Sequence, residues 1–441
     1  MNDDLTSHFA EFLYNQGDRI GLLKQVLRQL GNPDADYPII HICGTNGKGS
    51  TATMIAAILQ QMGKRVGLFT SPFIGDVTNS TNSIQINRQA IQTDQFDKYL
   101  NRLKQLMTSF GDGQQELSEF EAMFVAAMQY FSDQQVDYVV LECGLGGELD
   151  ATNAVKTTMY SIFTKIGMDH IGILGNTIEE IATTKSKIIR PGNTTIVAPN
   201  QRPEVLAVLK GEASHKAANF LDANTVQIDR QSTKATHFVY QVGHQSGHFQ
   251  FGLPGDYQLE NVRTVLLWLD DFQKKQHLSL DASQLLTQAL GKLDVPGRFE
   301  TIHAQPTIII DGAHNVDAIT AFAESVKHSF SSQSKMIITG FLKDKDYVDN
   351  VRLLAEIPNA TFKLTQPANP ERKLDERRLQ TVFQNITGKI YPIFSDPIAA
   401  LKASLKESAN HPDQLILVVG SFYLINPIRD YLIKTRSNSN D

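Results

Sequence analysis

Short runs of apolar residues alternate with longer polar and helix-like segments along most of the chain. The first run, residues 37–43, leads into a glycine-rich turn and then into residues 51–62, which we predict to be helical. Short apolar runs flanked by turn residues are typical of buried strands, so this order predicts strand, loop and helix. Further strands are predicted at residues 65–69, 137–142, 159–163 and 195–198. The alternation indicates an α/β fold with a mainly parallel sheet.

Two later segments divide the chain further. Residues 222–255 carry Thr, Gln, His and Gly around short apolar stretches, which predicts small antiparallel strands at the periphery. Pro296 and Gly297 then interrupt the pattern, and the alternation restarts beyond them. We therefore predict a P-loop-type domain over residues 1–295, a linker over 296–300 and a smaller Rossmann-like α/β domain over 301–441.

Composition and charge narrow the class of protein. The 441 residues are 41% hydrophobic, and 41 Lys and Arg stand against 47 Asp and Glu, giving a net charge of -6. This balance argues against a nucleic-acid binder that works through bulk charge. No apolar run approaches the roughly 18 residues of a membrane span, and the acidic start does not resemble a secretory signal. Cys43 and Cys143 cannot form a disulfide scaffold. We expect a cytoplasmic monomer with no nucleic-acid or membrane partner.

The glycine-rich turn is a candidate phosphate-binding loop, Gly44-Thr45-Asn46-Gly47-Lys48-Gly49-Ser50. Glycines let successive backbone N–H groups face one anion, and the following helix adds its partial positive charge. Lys48 would supply a mobile full charge for the β and γ phosphates. The loop departs from the strict P-loop pattern, because Gly49 and Ile42 stand where a hydroxyl residue and the first glycine are expected. An ordinary glycine turn with a solvated lysine is the alternative.

Chemically active residues follow at the ends of other predicted elements. Glu142 ends a buried strand, and a carboxylate there, beside a phosphate loop, is well placed to hold Mg²⁺. His170 and Lys185 come later, and Thr177 with Glu180 has capping-box spacing at the start of the helix that carries Lys185. Taken singly, His170 is compatible with a structural histidine and Lys185 with a solvated lysine. Arg298 and Asp311 are equally compatible with a surface salt bridge and a strand-end turn.

The loop His41-Ile42-Cys43-Gly44-Thr45-Asn46-Gly47-Lys48-Gly49-Ser50 resembles the ATP loop of the folylpolyglutamate synthase and dihydrofolate synthase family. Similar blocks run in order from about residue 8 to about residue 425. The resemblance implies an ATP-binding ligase domain over residues 1–295 and a glutamate-ligase domain over 301–441. It implies addition of L-glutamate to (tetrahydro)folate or folylpolyglutamate through an acyl phosphate, with dihydropteroate as a further candidate acceptor.

The same resemblance assigns roles to individual residues. Lys48, Glu142, His170 and Lys185 would be catalytic. Two Mg²⁺ ions would be held by Ser71, Glu142, His170 and Lys185, the last carrying a CO₂-derived carbamate. ATP would be bound by Thr45, Asn46, Gly47, Lys48, Gly49, Ser50, Asn261, Arg298 and Asp311. Phe120 and Glu121 would face the folate, and His314 and Ser421 are candidates for the glutamate side.

One position departs from the family pattern, and two other hypotheses remain. Glu148 stands where many members have arginine, which reverses the charge beside the expected pterin-side loop. A peptidoglycan-precursor amino-acid ligase would share the chemistry, but Gly49 and the short stretch before the loop disfavour it. A nucleotide-dependent switch is the hypothesis from another class, and no Asn-Lys pair for guanine recognition occurs.

Overall fold

The computed structural model describes residue 14 and residues 16–71, 80–110, 116–231, 236–409, 411 and 413–438. Two compact units emerge from the packing of the Cα atoms. The described residues of the first lie within 14–71, 80–252 and 260–293, and those of the second within 253–259 and 294–438. The second unit thus takes in residues 253–259 in addition to the carboxyl-terminal part of the chain.

The helices of the described ranges are α1 (Arg19–Gln29), α2 (Lys48–Gln61), α3 (Thr93–Thr108), α4 (Glu119–Asp133), α5 (Ile178–Ser186), α6 (Pro203–His215), α7 (Gln258–Lys275), α8 (Ala282–Leu290), α9 (Val316–Ser329), α10 (Tyr347–Ala355), α11 (Glu376–Thr387), α12 (Pro397–Ser408) and α13 (Phe422–Asn438). The strands are β1 (Ile39–Cys43), β2 (Val66–Phe69), β3 (Ile84–Ile86), β4 (Gln89–Ala90), β5 (Tyr138–Glu142), β6 (Tyr160–Phe163), β7 (Thr194–Val197), β8 (Asn219–Asp222), β9 (Gln227–Arg230), β10 (His237–Val242), β11 (Gln245–Gln250), β12 (Glu300–Ala304), β13 (Thr307–Asp311), β14 (Lys335–Thr339), β15 (Ala360–Thr365), β16 (Ile393–Phe394) and β17 (Leu415–Val419).

The first unit is built on an eight-stranded sheet in the order β4-β3-β2-β5-β1-β6-β7-β8. Strands β2, β5, β1, β6, β7 and β8 are parallel, whereas β3 pairs antiparallel with both β2 and β4. All five residues of β1 are buried, as expected of a central strand covered on both faces. The carboxyl ends of β2, β5, β1 and β6 therefore share one edge of the sheet.

Large apolar side chains fill the space between this sheet and its helices. Phe124 and Phe131 of α4 are fully buried in the same core cluster as Phe69 of β2. Trp268 and Phe272 of α7 are also buried, with ring centroids 5.1 Å apart. The predicted antiparallel region is a three-stranded sheet in the order β11-β10-β9. This packing gives the loops at the sheet edge a rigid support.

The second unit contains a six-stranded sheet in the order β12-β13-β17-β14-β15-β16. It is parallel except for the edge pair β12 and β13. The α/β fold class predicted from the sequence is confirmed in both units, including the small antiparallel sheet. Within the described ranges, none of the helices combines the length and apolar character that a bilayer crossing requires.

Candidate functional site

The glycine-rich loop joins the end of β1 to the start of α2, and α2 begins at Lys48, three residues before the predicted position. The backbone N–H groups of Thr45 and Asn46 both donate to the carbonyl of Lys165, at 2.8 and 3.1 Å. The Thr45 hydroxyl lies 3.1 Å from both the carbonyl and the N–H of Gly167. The loop is therefore anchored to the segment that follows β6.

Two glycines of the loop meet close neighbours. Gly47 has a φ of +90°, and a Cβ built on it would lie 2.2 Å from Oδ1 of Asn261. Gly44 has a φ of +152°, and its Cβ would lie 2.0 Å from the Thr164 hydroxyl. Any side chain would thus displace a neighbour, and the positive φ at Gly47 adds strain for other residues. The contact also brings Asn261, predicted from the sequence as an ATP ligand, against the loop.

The loop presents features that suit a phosphate group. Gly47 is the N-cap of α2 and offers no side-chain cap, so the first turn of the helix directs its backbone N–H groups outward. Lys48 is half-buried, and its Nζ lies 3.3 Å from the Thr45 carbonyl oxygen within the same loop. Ser50, also in the first turn, is fully buried.

Glu142 lies beside this loop at the carboxyl end of β5. One carboxylate oxygen accepts a hydrogen bond of 3.2 Å from the backbone N–H of Ser71, which follows β2. The same oxygen would be 3.4 Å from a Cβ on Gly49. Because β2, β5 and β1 are adjacent parallel strands, the structure brings together Ser71, Glu142 and the phosphate loop. Glu142 was expected beside the loop from its place at a strand end, and Ser71 from the family resemblance. Glu142 itself is 2% exposed.

Lys185 reaches the loop from α5 and is 4% exposed. Its Nζ donates to the Gly44 carbonyl at 2.9 Å. Burial lowers the pKa of Lys185 below its usual value, and Lys48 acts in the same direction. Lys185 is therefore not the solvated surface lysine that its sequence alone allowed. Thr177 caps α5 as predicted, but the Glu180 carboxylate accepts from Asn176 N–H at 2.6 Å.

His170 adopts a left-handed backbone conformation with a φ of +51°. Its imidazole Nε2 lies 3.8 Å from the Asp169 carboxylate, and its carbonyl accepts from Ile173 and Leu174, both at 3.0 Å. The Asp169 charge also acts on Lys185. His170 is thus connected to the Lys185 environment through its neighbour in sequence. No group of three or more His, Cys, Asp or Glu side chains placed to hold a metal occurs within the described ranges.

A buried polar network supports the glycine loop that follows β5. Asp150 accepts hydrogen bonds from the backbone of Leu145 and Thr152, at 2.7 and 3.0 Å, and from the Thr152 hydroxyl. The Thr152 hydroxyl also lies 2.8 Å from Nε2 of His41, which lies 3.1 Å from the Cys143 sulfur. Burial lowers the pKa of His41 to about 3. Sequence reasoning missed this network, because His41 lies more than 100 residues from Cys143 and Thr152.

The residues predicted to face the folate lie at the start of α4. Phe120 packs against Phe69 at 5.6 Å between ring centroids, and its ring fills the space where Gly144 would carry a Cβ. Glu121 forms a capping box with Ser118, and its carboxylate accepts from Arg19 at 2.9 and 2.5 Å. The Ser-x-x-Glu spacing in the sequence was the available signal for this cap. Glu148 on the nearby glycine loop is exposed.

In the second unit, Asp311 ends β13 and is held by three donors. They are the Tyr257 hydroxyl at 2.8 Å and the backbone N–H groups of Phe299 and Ala313, at 2.9 and 2.7 Å. Burial raises the pKa of Asp311, and the Arg298 guanidinium opposes this shift.

Phe422 joins the other predicted residues of this unit. The Arg298 guanidinium lies 4.4 Å from the centroid of its ring, and the His314 ring meets it edge-on at 5.8 Å. Ser421 precedes it, is 2% exposed and accepts from Tyr423 N–H at 3.1 Å. Sequence reasoning assigned no role to Phe422, although this aromatic residue follows Ser421 directly.

Comparisons with known proteins find two matching domain families and several similar enzymes. The Mur ligase middle domain matches residues 42–269, and the Mur ligase glutamate ligase domain matches residues 297–422. The dihydrofolate synthase/folylpolyglutamate synthase of Bacillus subtilis is 31% identical over 94% of this chain and 94% of its own length. The folylpolyglutamate synthase of Lacticaseibacillus casei is 32% identical over 98% of both chains.

Solved structures show the same relationship. The Mycobacterium tuberculosis folylpolyglutamate synthase complexed with ADP superposes with a TM-score of 0.85, at 26% identity over 97% of this chain and 96% of that chain. The apo form of the L. casei enzyme superposes with a TM-score of 0.80, at 30% identity over 97% of this chain and 98% of that chain.

The two matching domains make this chain a Mur ligase, a member of a class of ATP-dependent ligases. Sequence identity above 30% to two folate ligases, over nearly the whole length of this chain, identifies the family within this class. The chain belongs to the folylpolyglutamate synthase and dihydrofolate synthase family. The resemblance found in the sequence is thereby confirmed, and the relatives favour a folate ligase over a peptidoglycan-precursor ligase.

Proposed function

We propose that this chain uses ATP to join L-glutamate to the carboxyl group of (tetrahydro)folate or a folylpolyglutamate, with dihydropteroate as a second candidate acceptor. The single observation that carries the proposal is the meeting of Lys185, Glu142 and the phosphate loop in a member of this family. Lys185 bonds to Gly44, and Glu142 lies beside Gly49. A cytoplasmic monomer without nucleic-acid or membrane partners remains our expectation from the sequence.

ATP binding would use the loop first. The backbone of residues 44–50 and the first turn of α2 would receive the phosphates, and Lys48 would offset their charge. Thr45 and Asn46 hold the loop in shape through Lys165. Asn261, which packs on Gly47, would contact the nucleotide from α7. Arg298 and Asp311 are the proposed nucleotide contacts of the second unit.

The donor set around the loop fits magnesium. Mg²⁺ prefers oxygen ligands, and Glu142 offers a carboxylate oxygen beside the loop while Ser71 offers a hydroxyl. His170 would add an imidazole nitrogen. When bound, Mg²⁺ would stabilise negative charge on the phosphoryl oxygens. An unmodified Lys185 ammonium would repel the cation, so this fit needs a change at Lys185.

Carbamylation would supply that change. The Lys185 ammonium first loses a proton, and the neutral amine attacks the carbon of CO₂. An N–C bond forms as one C=O π bond of CO₂ breaks, and the nitrogen loses a second proton, so the original cation is replaced by an anion. The buried site favours the neutral amine, because burial lowers the pKa of Lys185. The resulting carbamate would add an anionic oxygen ligand to Glu142 and Ser71.

The proposed reaction has two steps. A folate carboxylate oxygen attacks the γ-phosphorus of ATP, and the bond from that phosphorus to the β-phosphate oxygen breaks. The products of this step are an acyl phosphate and free ADP. The amine of glutamate then attacks the acyl carbon, loses a proton and expels inorganic phosphate. Lys48 and the loop N–H groups stabilise the charge that develops in the first step. Phe120 and Glu121 on the folate side, and His314 and Ser421 on the glutamate side, would position the reactants.

An oxygen-transfer experiment tests this order. Folate labelled with ¹⁸O in the acceptor carboxyl group should transfer one labelled oxygen to inorganic phosphate per amide formed, as measured by mass spectrometry. Parallel reactions with dihydropteroate, dihydrofolate and tetrahydrofolate, each with and without glutamate, identify the acceptor. Unlabelled phosphate during active ligation would refute the acyl phosphate, and glutamate-independent ADP release with no amide product would refute the ligase.

A further inference from the structure

A second cationic site lies in the first unit, away from the phosphate loop. We call it the basic cleft and define it by Lys24, Arg28, Lys156, Lys187 and Arg190, which line a cavity of about 690 Å³. Asp34 is the one acidic residue among the 11 that line it. Lys and Arg make up 41 of the 441 residues, so 11 residues of average composition would include about one of them. The cleft therefore concentrates positive charge.

The basic cleft lies at the opposite edge of the sheet from the phosphate loop. Asp34 precedes the start of β1, Lys156 precedes β6 and Arg190 precedes β7. These three strands are parallel, so their starts share one edge, whereas the phosphate loop follows the end of β1. A strand of five residues separates the two edges by about 17 Å. A ligand in the basic cleft is thus distinct from a nucleotide on the loop.

Arg190 is the most constrained cation of the cleft. Its Nη2 donates to the carbonyl and side-chain oxygens of Asn153, at 2.8 and 2.7 Å, and to the Val155 carbonyl at 3.1 Å. Its Nη1 donates to the Lys187 carbonyl at 3.1 Å. All these acceptors are neutral, and among the described residues none of its hydrogen-bond partners is a carboxylate. The half-buried guanidinium thus lacks a counter-ion in direct contact.

The other cations surround this residue with mobile charge. Lys24 and Arg28 are exposed, stand one helical turn apart on α1, and form no ion pair with the residues that the structure describes. Lys156 is exposed, and its backbone N–H donates to the Asp34 carboxylate at 2.9 Å. Lys187 pairs with Glu212 at 3.0 Å. Three flexible cations are therefore available to one ligand.

We propose that the basic cleft binds a small phosphorylated anion. Arginine and lysine together form the side-chain set that recognises phosphoryl groups, with arginine supplying planar paired donors and lysine a mobile charge. Lys24, Arg28 and Lys156 contact the phosphoryl oxygens above Arg190, and the buried Asp34 carboxyl accepts a hydroxyl or amino donor of the same ligand. Binding at this cleft does not depend on the proposed ligase function.

The test is a calorimetric titration of the full chain with inorganic pyrophosphate, without nucleotide or metal. Lys48→Ala serves as the background, because it weakens binding at the phosphate loop. In that background, Lys24→Gln with Arg28→Gln should weaken pyrophosphate binding at least tenfold, and Lys156→Gln should weaken it several-fold. Each substitution removes a charge-assisted hydrogen bond to the phosphate, and the loss of one or two such bonds is enough to lower the affinity tenfold.

Lys98→Gln with Arg102→Gln is the matched control. This pair has the same charges and the same four-residue spacing on α3, and both residues are exposed outside the cleft. Unchanged affinity in the control and loss in the cleft variant supports the proposal. Equal affinity in both variants overturns it. Citrate tests the chemical class, because binding of this carboxylate as tight as that of pyrophosphate would overturn the assignment to a phosphoryl group.

Discussion

The side-chain nitrogen of Lys185 donates a 2.9 Å hydrogen bond to the backbone carbonyl oxygen of Gly44, the first residue of the phosphate loop. This bond joins α5 to the loop across 141 residues of sequence. It also places the amine where burial lowers its pKa, so the neutral form that reacts with CO₂ is favoured. The Lys185 side chain therefore supports the shape of the loop, and it is also the group whose own charge is proposed to change through carbamylation.

Lys185→Ala should reduce amide formation by a factor of about 100 or more. The variant lacks the carbamate proposed as a magnesium ligand, so the negative charge that develops on the phosphoryl oxygens would be less stabilised. Acetate or another small carboxylate should restore part of the rate by replacing the carbamate. Steady-state amide formation measures both effects. Lys210→Ala, an exposed lysine on α6, is the control. Full activity of Lys185→Ala without added carboxylate, or of the unmodified chain in CO₂-free buffer, would disprove the carbamate.

Lys48→Ala should abolish turnover and leave the fold intact. Lys48 is half-buried at the first position of α2 and is the one cation within residues 44–50. Its loss leaves the γ-phosphate charge without a mobile counter-charge. We expect ADP release to fall by a factor of about 100 or more, with an unchanged circular dichroism spectrum. Lys64→Ala, beyond the other end of α2, should retain activity, and ligation by Lys48→Ala at the unmodified rate would remove Lys48 from the mechanism.

Gly47→Ala should lower the free energy of unfolding of the first unit by about 2 kcal/mol. The φ of +90° disfavours any Cβ, and that atom would lie 2.2 Å from the Asn261 side chain. Urea unfolding monitored by Trp268 fluorescence is suitable, because the chain has one tryptophan and Trp268 is fully buried in this unit.

Gly49→Ala is the internal control for this substitution, since its Cβ would meet its nearest neighbour at an ordinary 3.4 Å. We expect it to leave stability almost unchanged. Adding Asn261→Ala to Gly47→Ala should recover the steric part of the loss and leave the part due to φ. Equal stability of the two glycine variants would contradict the loop geometry.

The buried His41 should make the first unit less stable as the pH falls. The pKa of His41 is about 3 in the folded state, against an ordinary value of 6.5. Below pH 6.5 this imidazole is therefore protonated in the unfolded chain but stays neutral in the folded one. The free energy of unfolding should fall by about 1.4 kcal/mol per pH unit from this residue, or about 2 kcal/mol between pH 7 and pH 5.

Urea unfolding of the His41→Asn variant at both pH values isolates this effect. The variant should be less stable at pH 7, because contacts to Thr152 and Cys143 are lost, but its stability should depend less on pH. His215→Asn on α6 provides an exposed control. A pH dependence in His41→Asn as steep as in the unmodified chain would contradict the assignment.

The sequence predicted the central elements of the fold because they are strongly apolar. Strands β2, β5 and β6 begin one residue after their predicted starts and end where predicted, and β1 differs only at its start. Strand β4 at the edge of the sheet and its neighbour β3 were not predicted, since they have two and three residues and too little periodicity to identify. The start of α2 was placed late because Lys48 and Gly49 have the composition of a loop. Gly49 has low helix propensity, but it lies inside α2 because the helix begins directly after the N-cap Gly47.

The sequence also predicted that Glu142 lies beside the phosphate loop, because parallel strands bring their carboxyl ends to one edge. The place of Ser71 in this group followed from the family resemblance alone. It did not predict which side chains would be structural. Glu121 is held by Arg19, a residue 102 positions away, and no local pattern encodes such a pair. Phe422 likewise contacts residues that are distant in sequence, Arg298 and His314. Such contacts depend on tertiary packing, which a single sequence does not display.

The anchoring of the phosphate loop also determines how late in synthesis the loop can fold. The Thr45 and Asn46 N–H groups are held by Lys165, and β1 is paired on its two sides by β5 and β6. During synthesis, the loop residues leave the ribosome well before any of these partners exists. At typical rates of translation, the 120 residues from Thr45 to Lys165 take roughly 6 to 24 s to make. Throughout that interval the nascent chain cannot complete its nucleotide site, and the apolar β1 segment stays exposed to the folding machinery of the cell.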